Sequence, residues 1–122
     1  MNHLEFGSRG EEIAVRYLKR LGWRILGKNI RIGHGEIDII AMDGDELVIV
    51  EVRSRRIGRV MPPEMSVGPQ KLRSVVKTAR KYVDSISYLG NWRIDVLAIT
   101  EDERGGVGIE RFGDVTVGMR GW

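Results

Sequence analysis

Two apolar runs of strand-like composition, Glu36 to Met42 and Glu46 to Arg53, flank Asp43-Gly44-Asp45. No other feature constrains the chain as tightly. A short turn with a central glycine closes an antiparallel hairpin, and side chains on a strand alternate between faces, so loop length decides which residues meet. With two loop residues (Gly44-Asp45) or four (Asp43 to Glu46), Asp38 falls opposite Glu51 and Glu36 opposite Arg53. A three-residue loop would send Asp38 and Glu51 to opposite faces. The even loop gathers Ile37, Ile39, Val48, Val50 and Val52 as a core side. It leaves Ile40, Met42, Leu47 and Ile49 on the carboxylate face, toward the turn.

Carboxylates inside apolar strands are costly unless they pair or hold a metal. Directly opposed residues have Cβ atoms about 4.5–5.5 Å apart, close enough for two carboxylates to share one cation. Two readings of Asp38 and Glu51 therefore stand: joint ligands of a divalent ion, or buried ion pairs with Arg53 or Arg55. Arg53 follows Glu51 by two positions and so shares its face.

The 122 residues suit one compact domain, 1–122, with a modest core. Cysteine is absent and there are two histidines, His3 and His34. Thiolate sites are thereby excluded, and any metal would be a hard cation on oxygen ligands. Met1 to Glu12 is charged and lacks an apolar signal core, and no apolar run approaches the roughly 20 residues of a membrane span. A soluble, cytoplasmic protein with no membrane partner is expected. The net charge of +3 is uneven: residues 53–81 hold nine basic side chains and one acid, Glu64, which leaves the remainder at −5. Such a segment is either a solvated basic face or a track for a phosphate backbone.

Apolar spacing predicts a helix over Ser8 to Leu21, ended by Gly22, and a second from Pro69 to Ile86. Strands are expected over Trp23 to Ile30, the two hairpin arms, Trp92 to Thr100 and Val107 to Phe112. Arg56 to Gly68, with two prolines, reads as a loop. The expected fold class is α/β, a mixed sheet with helices packed on it.

The order αβββαβ, with Asp38 and Glu51-Val52-Arg53, resembles the restriction-endonuclease-like, PD-(D/E)xK nuclease fold. A closer similarity is to the YraN-like family of small bacterial proteins. It is carried by Gly10-Glu11-Glu12-x-Ala14-x-x-Tyr17-Leu18, Asn29-x-Arg31, Gly35-Glu36-Ile37-Asp38 and Val50-Glu51-Val52-Arg53-x-Arg55. It continues in Lys71, Ala79-x-x-Tyr82 and Arg93-Ile94-Asp95-Val96, and covers roughly residues 7–100. A more distant similarity is to archaeal Holliday-junction resolvases, which carry a glutamate on the first helix.

The resemblance implies roles. Asp38 and Glu51 would hold Mg²⁺ or Mn²⁺, with Glu11 as an added acidic ligand or water contact. Arg53 stands where the fold usually has lysine. Arginine can clamp a phosphate in a bidentate way but is effectively never deprotonated, so it keeps the electrostatic role and loses proton transfer. Lys71 could partly substitute. Arg55, Arg56, Lys71, Arg73 and Lys77 would contact nucleic acid, most simply DNA, and a homodimer through an edge near the C-terminus is the analogous assembly.

Each residue also has a plain structural role available. Glu36 can pair with Arg53, Glu11 can favour a helix start, and Gln70 and Lys71 can be first-turn residues. Asp95 reads as a structural hydrogen-bonding group, His34 as a turn residue, and Trp23 and Trp92 as core. The functional expectation is a metal-dependent DNA endonuclease or resolvase-like protein. The alternative is a catalytically silent nucleic-acid-binding module of the same fold, and a third class is an interaction protein whose basic helix meets an acidic partner.

Overall fold

A computed structural model describes residues 3–56 and 69–116, with side chains from residue 9 to 56 and from 70 to 116. The described residues form helix α1 (His3–Arg20), strands β1 (Arg24–Ile32), β2 (Gly35–Asp43) and β3 (Glu46–Arg56), helix α2 (Pro69–Ser85), and strands β4 (Trp92–Glu101) and β5 (Val107–Phe112). The strands make one mixed sheet in chain order. Neighbours are antiparallel except β3 and β4, which run parallel across the crossover containing α2. The expected α/β class, with its αβββαβ order, is what the fold shows. The first helix begins at His3 rather than Ser8. The expected loop lies, from residue 57 onward, outside the described residues. No described helix is long and apolar enough to cross a membrane.

The helices cover opposite faces of the sheet. Ala14 and Leu18, one turn apart on α1, pack with Trp23, Ile39, Ala41, Val48, Val50, Leu97 and Ile99. Val76, Ala79 and Val83 of α2 pack with Ile37, Ile40, Leu47, Ile49 and Ile94. Burying both sheet faces explains why β3 and β4 are nearly continuous apolar runs rather than alternating ones.

Local chemistry fixes the corners. At the end of α1, Gly22 takes φ +88°, its N–H donates to the Lys19 carbonyl at 3.0 Å, and Trp23 N–H donates to Leu18 O at 3.1 Å. This is a Schellman cap, whose usual apolar contact is supplied by Trp23 and Leu18 in one core cluster. In the hairpin, Asp43 pairs with Glu46, so the loop is Gly44-Asp45, and Gly44 takes φ +60°. Positive φ at the first central residue alone is the type II′ pattern that suits strand twist.

Two glycines set how closely the helices sit. A Cβ on Gly10 would fall 2.0 Å from Ser54 Oγ, and one on Gly35 would fall 2.1 Å from Thr78 Oγ1. Bare backbone at these points lets α1 close on β3 and α2 close on β2.

A carboxylate pair beside the second helix

The even loop puts Asp38 and Glu51 at neighbouring positions of β2 and β3. The backbone ladder between these strands ends one pair earlier, at Ile39 opposite Val50. Beyond it, Asp38 Oδ2 accepts the Val52 N–H at 2.8 Å. The carboxylate thus replaces a main-chain acceptor, and β2 departs from β3 here. Two expectations are corrected by this departure. Glu36 does not oppose Arg53 but pairs with Arg31 on β1. Ile37 leaves the face of Ile39 and packs with the α2-side residues. Asn29, which faces this break from β1, takes φ +54°, a left-handed conformation that Asn tolerates better than most residues.

Glu51 is only 8% exposed, and its Oε1 lies 3.5 Å from Lys71 Nζ at the start of α2. Burial, then the adjacent Glu51 charge, pushes the Asp38 carboxyl up to about 7, against the Val52 N–H, which favours the charged form. Glu36 adds repulsion. Glu11, on α1, is also raised, first by burial; the Asn29 side chain hydrogen-bonds it in opposition, and Asp38 and Glu36 repel it. Four acids therefore share one field, although among the described residues no three gather closely enough to form a metal-holding group.

A pocket of about 280 Å³ opens beside the pair, lined by Asp38, Glu51, Glu36 and Lys71. Ser74 and Thr78, one and two turns after Lys71, continue its wall. His34 borders it from the β1–β2 turn, a position that its place in a Gly-His-Gly turn did not reveal. Arg53 is half-buried on β3 and is not among the pocket's lining residues. The cation beside Glu51 comes instead from Lys71, which α2 delivers from across the crossover.

The predicted backbone-contact residues divide. Arg55 shares strand parity with Glu51 and Arg53. Arg56 has the parity of Ser54, which meets α1, and pairs with Glu101 at 3.8 Å. Arg73 and Lys77 are exposed, but they stand roughly 160° and 120° around α2 from Lys71. The basic segment is thus not one face.

Asp95 has the structural role read from its sequence. It is fully buried and accepts bonds from Arg93 (3.0 and 3.2 Å), Arg111 (3.0 Å) and Asp114 N–H (2.7 Å). Arg93 also binds Asp43 at 3.0 Å and Glu46, which ties β4 to the hairpin turn. Both guanidiniums lie over Trp23, at 5.2 and 5.6 Å from the ring centroid, and Trp23 is core as expected. Val115 N–H donates to Ile94 O, so the segment after β5 folds back on β4.

Comparison with known proteins gives one family. The model for "Uncharacterised protein family UPF0102" matches residues 10–99. A UPF0102 protein of Cytophaga hutchinsonii is 39% identical over 103 residues, covering 84% of this chain and 91% of the relative. One from Syntrophus aciditrophicus is 44% identical, covering 80% of this chain and 78% of its own length. One from Thermodesulfovibrio yellowstonii is 41% identical, covering 83% and 90%.

Proposed function

This chain belongs to the UPF0102 family, and for it we propose a metal-dependent phosphodiesterase acting on nucleic acid, most simply a DNA endonuclease or resolvase-like protein. The observation that carries the reading is the crowded pair Asp38 and Glu51 at an open pocket, with Asp38 raised to about 7 and Lys71 as the cation at Glu51. Two oxygen donors whose joint ionisation is opposed fit a hard cation, which relieves that repulsion. Asp38 and Glu51 would hold Mg²⁺ or Mn²⁺, with water and phosphate oxygens completing the shell. When bound, such an ion polarises a phosphodiester and lowers the pKa of a coordinated water.

The chain's own groups do the rest. Lys71 balances the Glu51 charge and offers N–H donors to a phosphate at the pocket. Val52 N–H fixes the Asp38 carboxylate, leaving its other oxygen for the ion. Glu11, oriented by Asn29, holds water at the edge of the site. Arg53 and Arg55, beyond Glu51 on β3, clamp the flanking backbone. A cytoplasmic location suits such a role.

The lack of a third convergent acid among the described residues favours a second reading, a binding module of the same fold that does not cut. One experiment separates the two. Labelled single-stranded, duplex, flap and four-way-junction DNA are incubated with Mg²⁺ or Mn²⁺, beside Asp38→Asn. Cleavage lost in the variant supports the nuclease. Salt-sensitive binding without cleavage selects the silent module, and no binding at all refutes both.

A further inference from the structure

The face of the sheet covered by α1 carries a second concavity. The packing of α1 runs mainly over β1, β3 and β4, with Ile109 of β5 at the margin of the same core. The remaining step is a groove of about 440 Å³ between the helix wall and the sheet edge. Arg9, Arg16 and Arg20 line it from the helix; these positions recur at seven and four residues and so share one flank. Its apolar lining is Ile13 and Tyr17 from α1 and Val107 and Ile109 from β5. Among the described residues Glu12 is its one acid. Arg9 is anchored 3.6 Å from Glu101, whose Oε2 is buried without a hydrogen-bond partner among the described residues. Among the described residues, Arg16 and Arg20 are exposed and have no ion-pair partner.

We propose that this groove binds a single-stranded stretch of nucleic acid. The proposal deepens the phosphodiesterase reading and rests on it: the substrate class becomes one with an unpaired arm. Three arginines along one flank complement a phosphate backbone. An apolar lining with a phenol ring suits the face of an unstacked base, which a duplex keeps hidden. Placement makes the same distinction. The carboxylate pocket lies on the α2 face of the sheet and the groove on the α1 face. A duplex, stiff over about 150 base pairs, cannot turn round the end of a small sheet, whereas a single strand can. A second copy of this chain fits poorly, because two arginine flanks would face each other.

The test uses the full chain and the double variant R16E/R20E, with fluorescence anisotropy on labelled oligothymidylate, a duplex of equal length, and an oligoglutamate. Both arginines are exposed, and matching thermal midpoints check the fold. The variant is expected to bind oligothymidylate at least tenfold more weakly. Its log K against log salt should flatten by about 1.4, two single-strand contacts of about 0.7 each, with duplex binding unchanged. Tyr17→Leu should lower single-strand affinity about fivefold or more. If wild type binds and cuts DNA while R16E/R20E binds oligothymidylate equally well, the groove inference alone fails. Equal losses for single strand and duplex also overturn it. Oligoglutamate binding without oligothymidylate binding assigns the groove to an acidic peptide and overturns it as well. If wild type binds no nucleic acid, the functional reading falls together with the groove.

Discussion

Asp38→Asn should make this protein more stable at alkaline pH, although it removes a native charge. The Asp38 carboxyl sits at about 7 in the folded chain, against an ordinary value of 3.8. Below the lower value, both folded and unfolded chains hold the proton and the group contributes nothing. Between the two, the unfolded chain releases a proton that the folded chain keeps, so stability falls as pH rises, and above about 7 the loss is complete. A shift of about three units at 1.36 kcal/mol each is about 4 kcal/mol. Solvent contact at the half-buried carboxyl reduces this to about 2–4 kcal/mol. Asparagine keeps an oxygen for the Val52 N–H and removes the charge facing Glu51. Urea unfolding of both proteins at pH 4 and pH 8 measures the difference. The variant should exceed wild type by less than about 1 kcal/mol at pH 4, just inside the window, and by about 2–4 kcal/mol at pH 8, and Mg²⁺ should narrow the gap by stabilising wild type alone. A variant equally or less stable at pH 8 would refute the claim that the pair opposes its own ionisation.

Three further outcomes are expected. Gly10→Ala should cost about 1–3 kcal/mol despite alanine's better helix propensity, because its Cβ would lie 2.0 Å from Ser54 Oγ. Adding Ser54→Gly should recover most of that in denaturant titration, and a stabilised single variant would contradict the close-approach argument. Ser87→Gly should raise the thermal midpoint, with a gain of about 1–2 kcal/mol: Ser87 holds φ +52° in the turn after α2, where Tyr88 N–H reaches Val83 O at 3.1 Å. Arg93→Met should destabilise by about 3–5 kcal/mol, since Asp95 is fully buried and loses two of its four bonds. A calorimetric loss below 1 kcal/mol would mean that Arg111 and Asp114 suffice.

What could be read from the sequence was whatever depends on local period. The hairpin loop, its register near the turn, the helix ends at Gly22 and Pro69, and the burial of Asp95 follow from alternation and turn chemistry. The candidate site was legible as far as the neighbouring placement of Asp38 and Glu51, because both interrupt apolar runs joined by a countable loop. Alternation failed at Ile37, where a side chain takes over a main-chain bond and the strand changes course. The partner of Glu51 was misjudged because Arg53 is near in sequence whereas Lys71 arrives across a parallel crossover, and strand parity carries no information about that approach. The arginine groove was hidden for a different reason. Arg9, Arg16 and Arg20 are diluted by Glu11 and Glu12 in any linear charge count, and only the helix sorts them to one flank.

The single parallel pairing among the described strands has a consequence for how the molecule comes apart. Chain order equals sheet order, so the protein consists of two contiguous halves, α1 with β1–β3 and α2 with β4–β5. They meet at a seam running from Leu47 beside Trp92 to Arg56 beside Glu101. The acids belong to one half and Lys71 to the other. Opening the seam would leave Glu51 without its ammonium partner while Asp38 keeps the Val52 N–H, whereas closing it delivers the lysine. The charge balance of the pocket therefore reports whether the halves are joined. Covalently separate halves, if they reassociate, would regain the pocket at the moment the sheet is made whole.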